Sequence, residues 1–126
     1  MSDSSWRNAS TAKRSRCIEL PAYLNQESPV ITHVVLMKFK SEHKEDNIAR
    51  ARDLLLSMVG KVDVLRHLEV GDNCVPSDRA LDLALVTRFD DIEGLSEYAE
   101  HPVHLDVKKF LMTVLEGSYV VDYESA

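Results

Sequence analysis

Residues 30–40 read VITHVVLMKFK, and the fold turns on which way each of these side chains points. The run is short and rich in β-branched and large apolar residues, which marks a strand. Alternation puts Ile31, His33, Val35, Met37 and Phe39 on one face and Thr32, Val34, Leu36 and Lys38 on the other. Both faces are largely apolar, so both require cover.

The chain downstream supplies the first covering layer. SEHKEDNIARARDLLLSMVG (41–60) carries Ile48, Ala51, Leu55, Met58 and Val59 at helical spacing and closes on Gly60, placed as a C-terminal stop. VDVLRHLEVG (62–71) reads as a second strand, followed by a loop through Pro76, Ser77 and Asp78. ALDLALVTRF (80–89) alternates as a third strand, with Leu81, Leu83 and Leu85 on one face and Ala84 and Val86 on the other. DDIEGLSEYAE (90–100) is a short helix with acids in its first turn, where the helix dipole favours them. PVHLDVKKFLMTVL (102–115) is a further helix ended by Gly117, and SYVVDY (118–123) is the last strand. The order is βαββαβ with the second helical region broken at Pro102. That order predicts an α+β, ferredoxin-like fold, a four-stranded antiparallel sheet with helices on one face. The helices leave the other apolar face bare. A second copy packing sheet against sheet covers it, which predicts a homodimer; an N-terminal extension draped over the sheet is the competing cover.

Residues 1–29 are polar and aperiodic and end in Pro21 and Pro29, with Ile18, Leu20, Tyr23 and Leu24 as the side chains able to drape over the domain. The division expected is therefore a flexible extension over 1–29 and one domain over 30–126, a size that suits a single core. Of the formal charge of −6, residues 1–16 hold four basic side chains, Arg7, Lys13, Arg14 and Arg16, against Asp3, so the remainder is strongly acidic. Such a body is repelled by phosphate backbones, and no nucleic-acid partner is expected. Cys17 and Cys74 are too few for a disulfide framework and read as reduced thiols of an intracellular protein. No apolar run approaches the ~18–20 residues of a membrane span, nor is there a secretory signal, so the expectation is a cytoplasmic protein without a membrane partner. The basic N-terminal tail leaves organelle targeting as the alternative.

ITHVVLMKF (31–39), LEVG (68–71), LVTRFDDIEGLSEYAEHPVHLDV (85–107) and VVDYE (120–124) together resemble the stress-responsive A/B barrel domain (Dabb) family, whose members form dimeric α+β barrels. The most specific piece is Tyr-x-x-His-Pro-x-His, here Tyr98, His101, Pro102 and His104; His33 in the first strand is next. The resemblance implies a small homodimer. A few relatives are polyketide cyclases in which the tyrosine and second histidine of this motif act on a linear polyketide without metal or cofactor. Where those cyclases carry another histidine in the third strand this chain has Leu83, and Ala51 and Arg52 stand where they have bulky aromatics. The resemblance therefore implies a pocket of different shape.

The residues themselves permit such chemistry. Pro102 is favoured at the first position of a helix and pushes His101 out of helical conformation. His104 then falls in the first turn of the new helix, where the dipole disfavours an imidazolium and leaves the neutral base that proton abstraction requires. Tyr98 is a candidate phenol donor to a carbonyl oxygen, and Asp122 a candidate to fix the His104 tautomer or support its charge. If His33 faces the helices, so do Val35 and Met37, and the family pattern adds Leu83, Leu85, Val120 and Asp122 to that side. With Leu55 and His101 these are the candidate walls of an apolar small-molecule pocket. The plainer readings stand beside these: His101 as a cap at a helix junction, Tyr98 as a core aromatic, and His33 as a buried histidine bonded to Asp122 or the backbone. The His101/His104 pair lacks a third acid or thiol to specify a metal geometry, so no metal and no cofactor are expected. Three function classes remain: a dimeric small-molecule-binding or stress-related protein of undetermined activity, a cofactor-independent lyase or cyclase using His104 and Tyr98, and a cofactor-free monooxygenase of the kind other dimeric α+β barrels provide.

Overall fold

The computed structural model describes residues 30–125, which form β1 (Val30–Phe39), α1 (Lys44–Leu56), β2 (His67–Asp72), β3 (Leu83–Phe89), α2 (Ile92–Glu100), α3 (Pro102–Val114) and β4 (Leu115–Ser125). The expected extension over residues 1–29, with Cys17 and the apolar side chains of its second half, lies outside the described residues. The four strands make one antiparallel sheet in the order β2-β3-β1-β4. This is the ferredoxin-like arrangement that the βαββαβ pattern predicts: the first and third strands are central, and each helical crossover returns over the same face.

The side-chain parity read from β1 holds across the sheet. Val35 is paired with Leu85 on one side and Val120 on the other, and His33 with Thr87 and Asp122, so these residues share the face covered by helices. Met37, Phe39, Leu83, Leu85 and Phe89 from the sheet meet Ala51 and Leu55 of α1, Tyr98 of α2, and Val107, Leu111 and Val114 of α3 in one buried core. Ala51 is fully buried, and its methyl lets α1 approach where a larger side chain would hold it off.

Three boundaries differ from the sequence reading. Residues 62–66 do not extend β2. They belong to a tightly wound stretch after α1, in which Met58, Lys61 and Leu65 each donate to the carbonyl three residues back, and Val62 plugs into the core. The helix expected to run to Gly60 ends at Leu56, leaving Val59 exposed, and Gly60 supplies the left-handed turn (φ +83°) beyond it. Gly117 is not a helix stop. α3 ends earlier, at Val114, whose carbonyl accepts from the Lys40 N–H (2.9 Å), and Gly117 lies within β4 opposite Lys38.

The face away from the helices carries an apolar row. Val86, Val34 and Val121 lie side by side on β3, β1 and β4, with Leu36 beside Tyr119 and Thr32 beside Tyr123. Leu36 (40%), Tyr119 (58%), Val121 (62%) and Tyr123 (47%) are all exposed in the single chain.

Candidate active site

The junction between α2 and α3 builds the site. Asp91 caps α2 by accepting from the Gly94 N–H at 2.7 Å, and Tyr98, the seventh residue of the helix, turns inward against Phe89 with ring centroids 5.0 Å apart. His101 has extended backbone and serves as the N-cap of α3, its ring Nδ1 accepting from the Val103 N–H at 3.1 Å, with Pro102 opening the helix. One turn on, the His104 ring stacks at 46° beside Tyr98, 4.4 Å between centroids. Its Nδ1 lies 3.1 Å from the Ala99 carbonyl. A carbonyl only accepts, so Nδ1 carries the proton and Nε2 holds a free lone pair. The two histidines of the motif are thus opposite tautomers: His101 uses its lone pair to cap a helix, and His104 keeps its lone pair available.

Burial sets the electrostatics of the pair. The Tyr98 phenol is pushed up to about 12 by desolvation, which holds it as a neutral O–H donor at any physiological pH. The His104 imidazole is held below its ordinary value, first by desolvation, with the Lys108 ammonium and any charge on His33 or His101 acting in the same direction; the Ala99 carbonyl works the other way. Among the described residues, the Tyr98 hydroxyl is the buried side-chain polar atom that has no hydrogen-bond partner. An orphaned buried hydroxyl costs about 1–3 kcal/mol, and Tyr98 is also a lining residue of a cavity.

That cavity, about 280 Å³, is lined by Tyr98, His104 and His33 with Val35, Met37, Leu55, Leu85 and Val120. Its size lies at the lower end of the range of about 300–1,000 Å³ usual for small-molecule sites. The remaining wall comes from α3 and the start of β4: Val107, Lys108, Leu111, Met112, Leu115 and Ser118. The sequence reading missed these, though four of them were signalled: 107, 108, 111 and 112 fall at steps of three and four from His104 and so share its helix face, while Leu115 and Ser118 come from β4.

Three expected residues stand elsewhere. Asp122 does not reach His104; its carboxylate takes the Nδ1–H of His33, the residue directly opposite it in the strand register. The Ala99 carbonyl sets the His104 tautomer in its place. Leu83 is core and lines a separate groove with Leu36, Cys74 and Val75 near the β2–β3 loop. His101 is spent on capping α3 and does not line the cavity. Among the described residues no group of three or more His, Cys, Asp or Glu side chains is close enough to hold a metal ion.

The model of the stress responsive A/B barrel domain (Dabb) matches residues 31–125. The chain belongs to this family. A stress-response A/B barrel domain-containing protein of Arabidopsis thaliana is 24% identical over 97 residues, covering 75% of this chain and 85% of the relative. Among solved structures, a dimeric ferredoxin-like protein of unknown function from Bacteroides fragilis is 30% identical with a TM-score of 0.70, over 75% of this chain and 95% of that one. The hydroxynitrile lyase of Passiflora edulis superposes equally well, at a TM-score of 0.70 over 79% of this chain and 95% of its own, but at 14% identity it shares the fold alone. In this Dabb chain the motif Tyr98, His101, Pro102, His104 therefore divides its labour: two members shape the helix junction and two face a cavity.

Proposed function

We propose that this Dabb protein is a homodimer that binds a small apolar molecule carrying an acceptor oxygen, with one such molecule in each protomer's cavity. The observation that carries the reading is Tyr98, which lines a largely apolar hollow and whose hydroxyl is buried and without a hydrogen-bond partner among the described residues. Dimerisation is supported by the bare apolar row on the sheet and by family-like structures from Bacteroides fragilis and Thermobifida fusca described as dimeric. No described helix is long and apolar enough to cross a membrane, and the acidic charge balance argues against nucleic acid as partner; a cytoplasmic protein is the reading these favour. Calorimetric titration with medium-chain 2-alkanones tests the site. Wild type should bind them, and Tyr98→Phe should bind about ten-fold more weakly for the lost hydrogen bond, with no loss of stability, since no partner is orphaned. Equal affinities in the two proteins refute the role given to the hydroxyl.

A second reading, a cofactor-independent lyase or cyclase, is favoured by the free Nε2 of His104 one ring away from the phenol. In that reaction Nε2 takes a proton from the carbon next to a carbonyl. The Tyr98 O–H donates to the carbonyl oxygen as it gains charge, and the imidazolium later returns its proton to the product. Asp122 then acts through His33, which faces the phenol edge-on at 6.2 Å between centroids. Turnover of linear poly-β-keto thioesters or acids by wild type, with losses of about 10²–10⁴-fold in His104→Ala, supports it. Unchanged rates in that variant and in Tyr98→Phe remove both residues from the mechanism.

A further inference from the structure

Resting on the reading of the cavity as a small-molecule site, we propose that Lys108 makes it selective for a carboxylate, so that the ligand class is an apolar oxo acid. Among the described lining residues Lys108 is the side chain with a full charge; the others are apolar, hydroxyl or imidazole. Asp122, in register with the lining residue His33, is engaged by it. The helix neighbours of Lys108, at three and four residues either way, are Leu105, His104, Leu111 and Met112, none of which is acidic. Four other basic side chains, Lys38, Lys44, Arg52 and Arg66, each lie within 4.0 Å of a carboxylate, and no such pair forms with Lys108 among the described residues. Lys108 lines the cavity yet is exposed overall, as suits a long side chain with an apolar stem and a solvated charge.

Spacing gives the ligand its form. Lys108 is four residues beyond His104, one helical turn or about 6 Å along the axis. An oxygen held by Tyr98 and an anion held by Lys108 therefore belong to one short molecule: a keto group a few bonds from a carboxylate, with the alkyl or aryl part against Val35, Met37, Leu55 and Leu85. The flanking Val107, Leu111 and Val120 displace water and leave the attraction less screened than on an open surface. The same charge acts on His104, since Lys108 is one of the groups that lower its basicity. A bound carboxylate offsets that field, so the correct ligand makes the neighbouring imidazole a stronger base.

The test is calorimetry on the full chain with 4-oxodecanoic acid and its methyl ester. Wild type should bind the acid at least about ten-fold more tightly than the ester, equivalent to one moderate ion pair in a sheltered setting. Lys108→Gln should bring the two affinities together, Lys108→Arg should keep the preference, and salt should weaken only the acid. Lys108 is exposed, so neither variant should disturb folding. Ester and acid bound equally by wild type, or a preference surviving in Lys108→Gln, overturns the assignment while the pocket stands. Failure of wild type to bind either ligand overturns the pocket and the assignment together.

Discussion

A phenol without a partner is expensive, and Tyr98 shows its cost in titration. Burial lifts it to about 12 from the ordinary 10.0. The unfolded chain releases this proton near the ordinary value, whereas the folded chain holds it for about two units more. Between those values the folded state binds more protons, so stability falls as pH rises through that window, by about 3 kcal/mol in all. Absorbance of tyrosinate followed during alkaline titration should therefore show one late phenol near 12, missing in Tyr98→Phe; a wild type whose tyrosines all ionise together near 10 contradicts the burial. His104 has the opposite sign. Its folded value is depressed, so the unfolded chain takes up the proton first, and stability declines as pH falls from 6.5 toward the lower folded value. His104→Gln should flatten that acid limb in denaturant titrations taken at a series of pH values, and an unchanged slope assigns it to another group.

Short elements hold these side chains through their ends. The aim of Tyr98 depends on α2, only nine residues long, whose start is fixed by Asp91. Asp91→Ala should cost about 1 kcal/mol in denaturant unfolding and Asp91→Asn much less, because the amide oxygen can accept the same Gly94 N–H; equal losses would show that the negative charge, not the cap, is what matters. Local signals of this sort were legible in the sequence: the Pro102 break, the acid-rich entry at 90–91 and the two-residue period of β1 each place their residues correctly. What escaped were features decided by contacts distant in the chain. α3 stops at Val114 because Lys40, on another element, takes its carbonyl, and no nearby residue announces it. The alternation at 62–66 suits a strand, yet Val62 is buried equally well by the tight turns that follow α1. Of the two partners open to Asp122, His104 and His33, strand register selects His33, which stands directly opposite it.

At the level of the whole molecule, one face of the sheet remains to be accounted for. Val34 is flanked by Val86 and Val121, and the last of these is 62% exposed although it points toward no helix. Apolar area of this kind is worth roughly 25 cal/mol per Å² when removed from water, and a stable interface takes about 800 Å² from each partner. A sheet surface with aromatic Tyr119 and Tyr123 beside the valine row fits that demand and leaves the cavity, on the opposite face, untouched. Val121→Asp would set an unpaired carboxylate in the centre of such an interface, which costs several kcal/mol and weakens association by more than about 10²-fold. In sedimentation velocity at micromolar concentration, wild type should run at twice the 14.2 kDa chain mass and Val121→Asp at the single mass with its secondary structure intact. Because Val121 touches neither Tyr98 nor the helices, ligand binding per chain in this monomer then reports whether each hollow is complete alone. A wild type that sediments as a single chain would leave the valine row without the partner its chemistry requires.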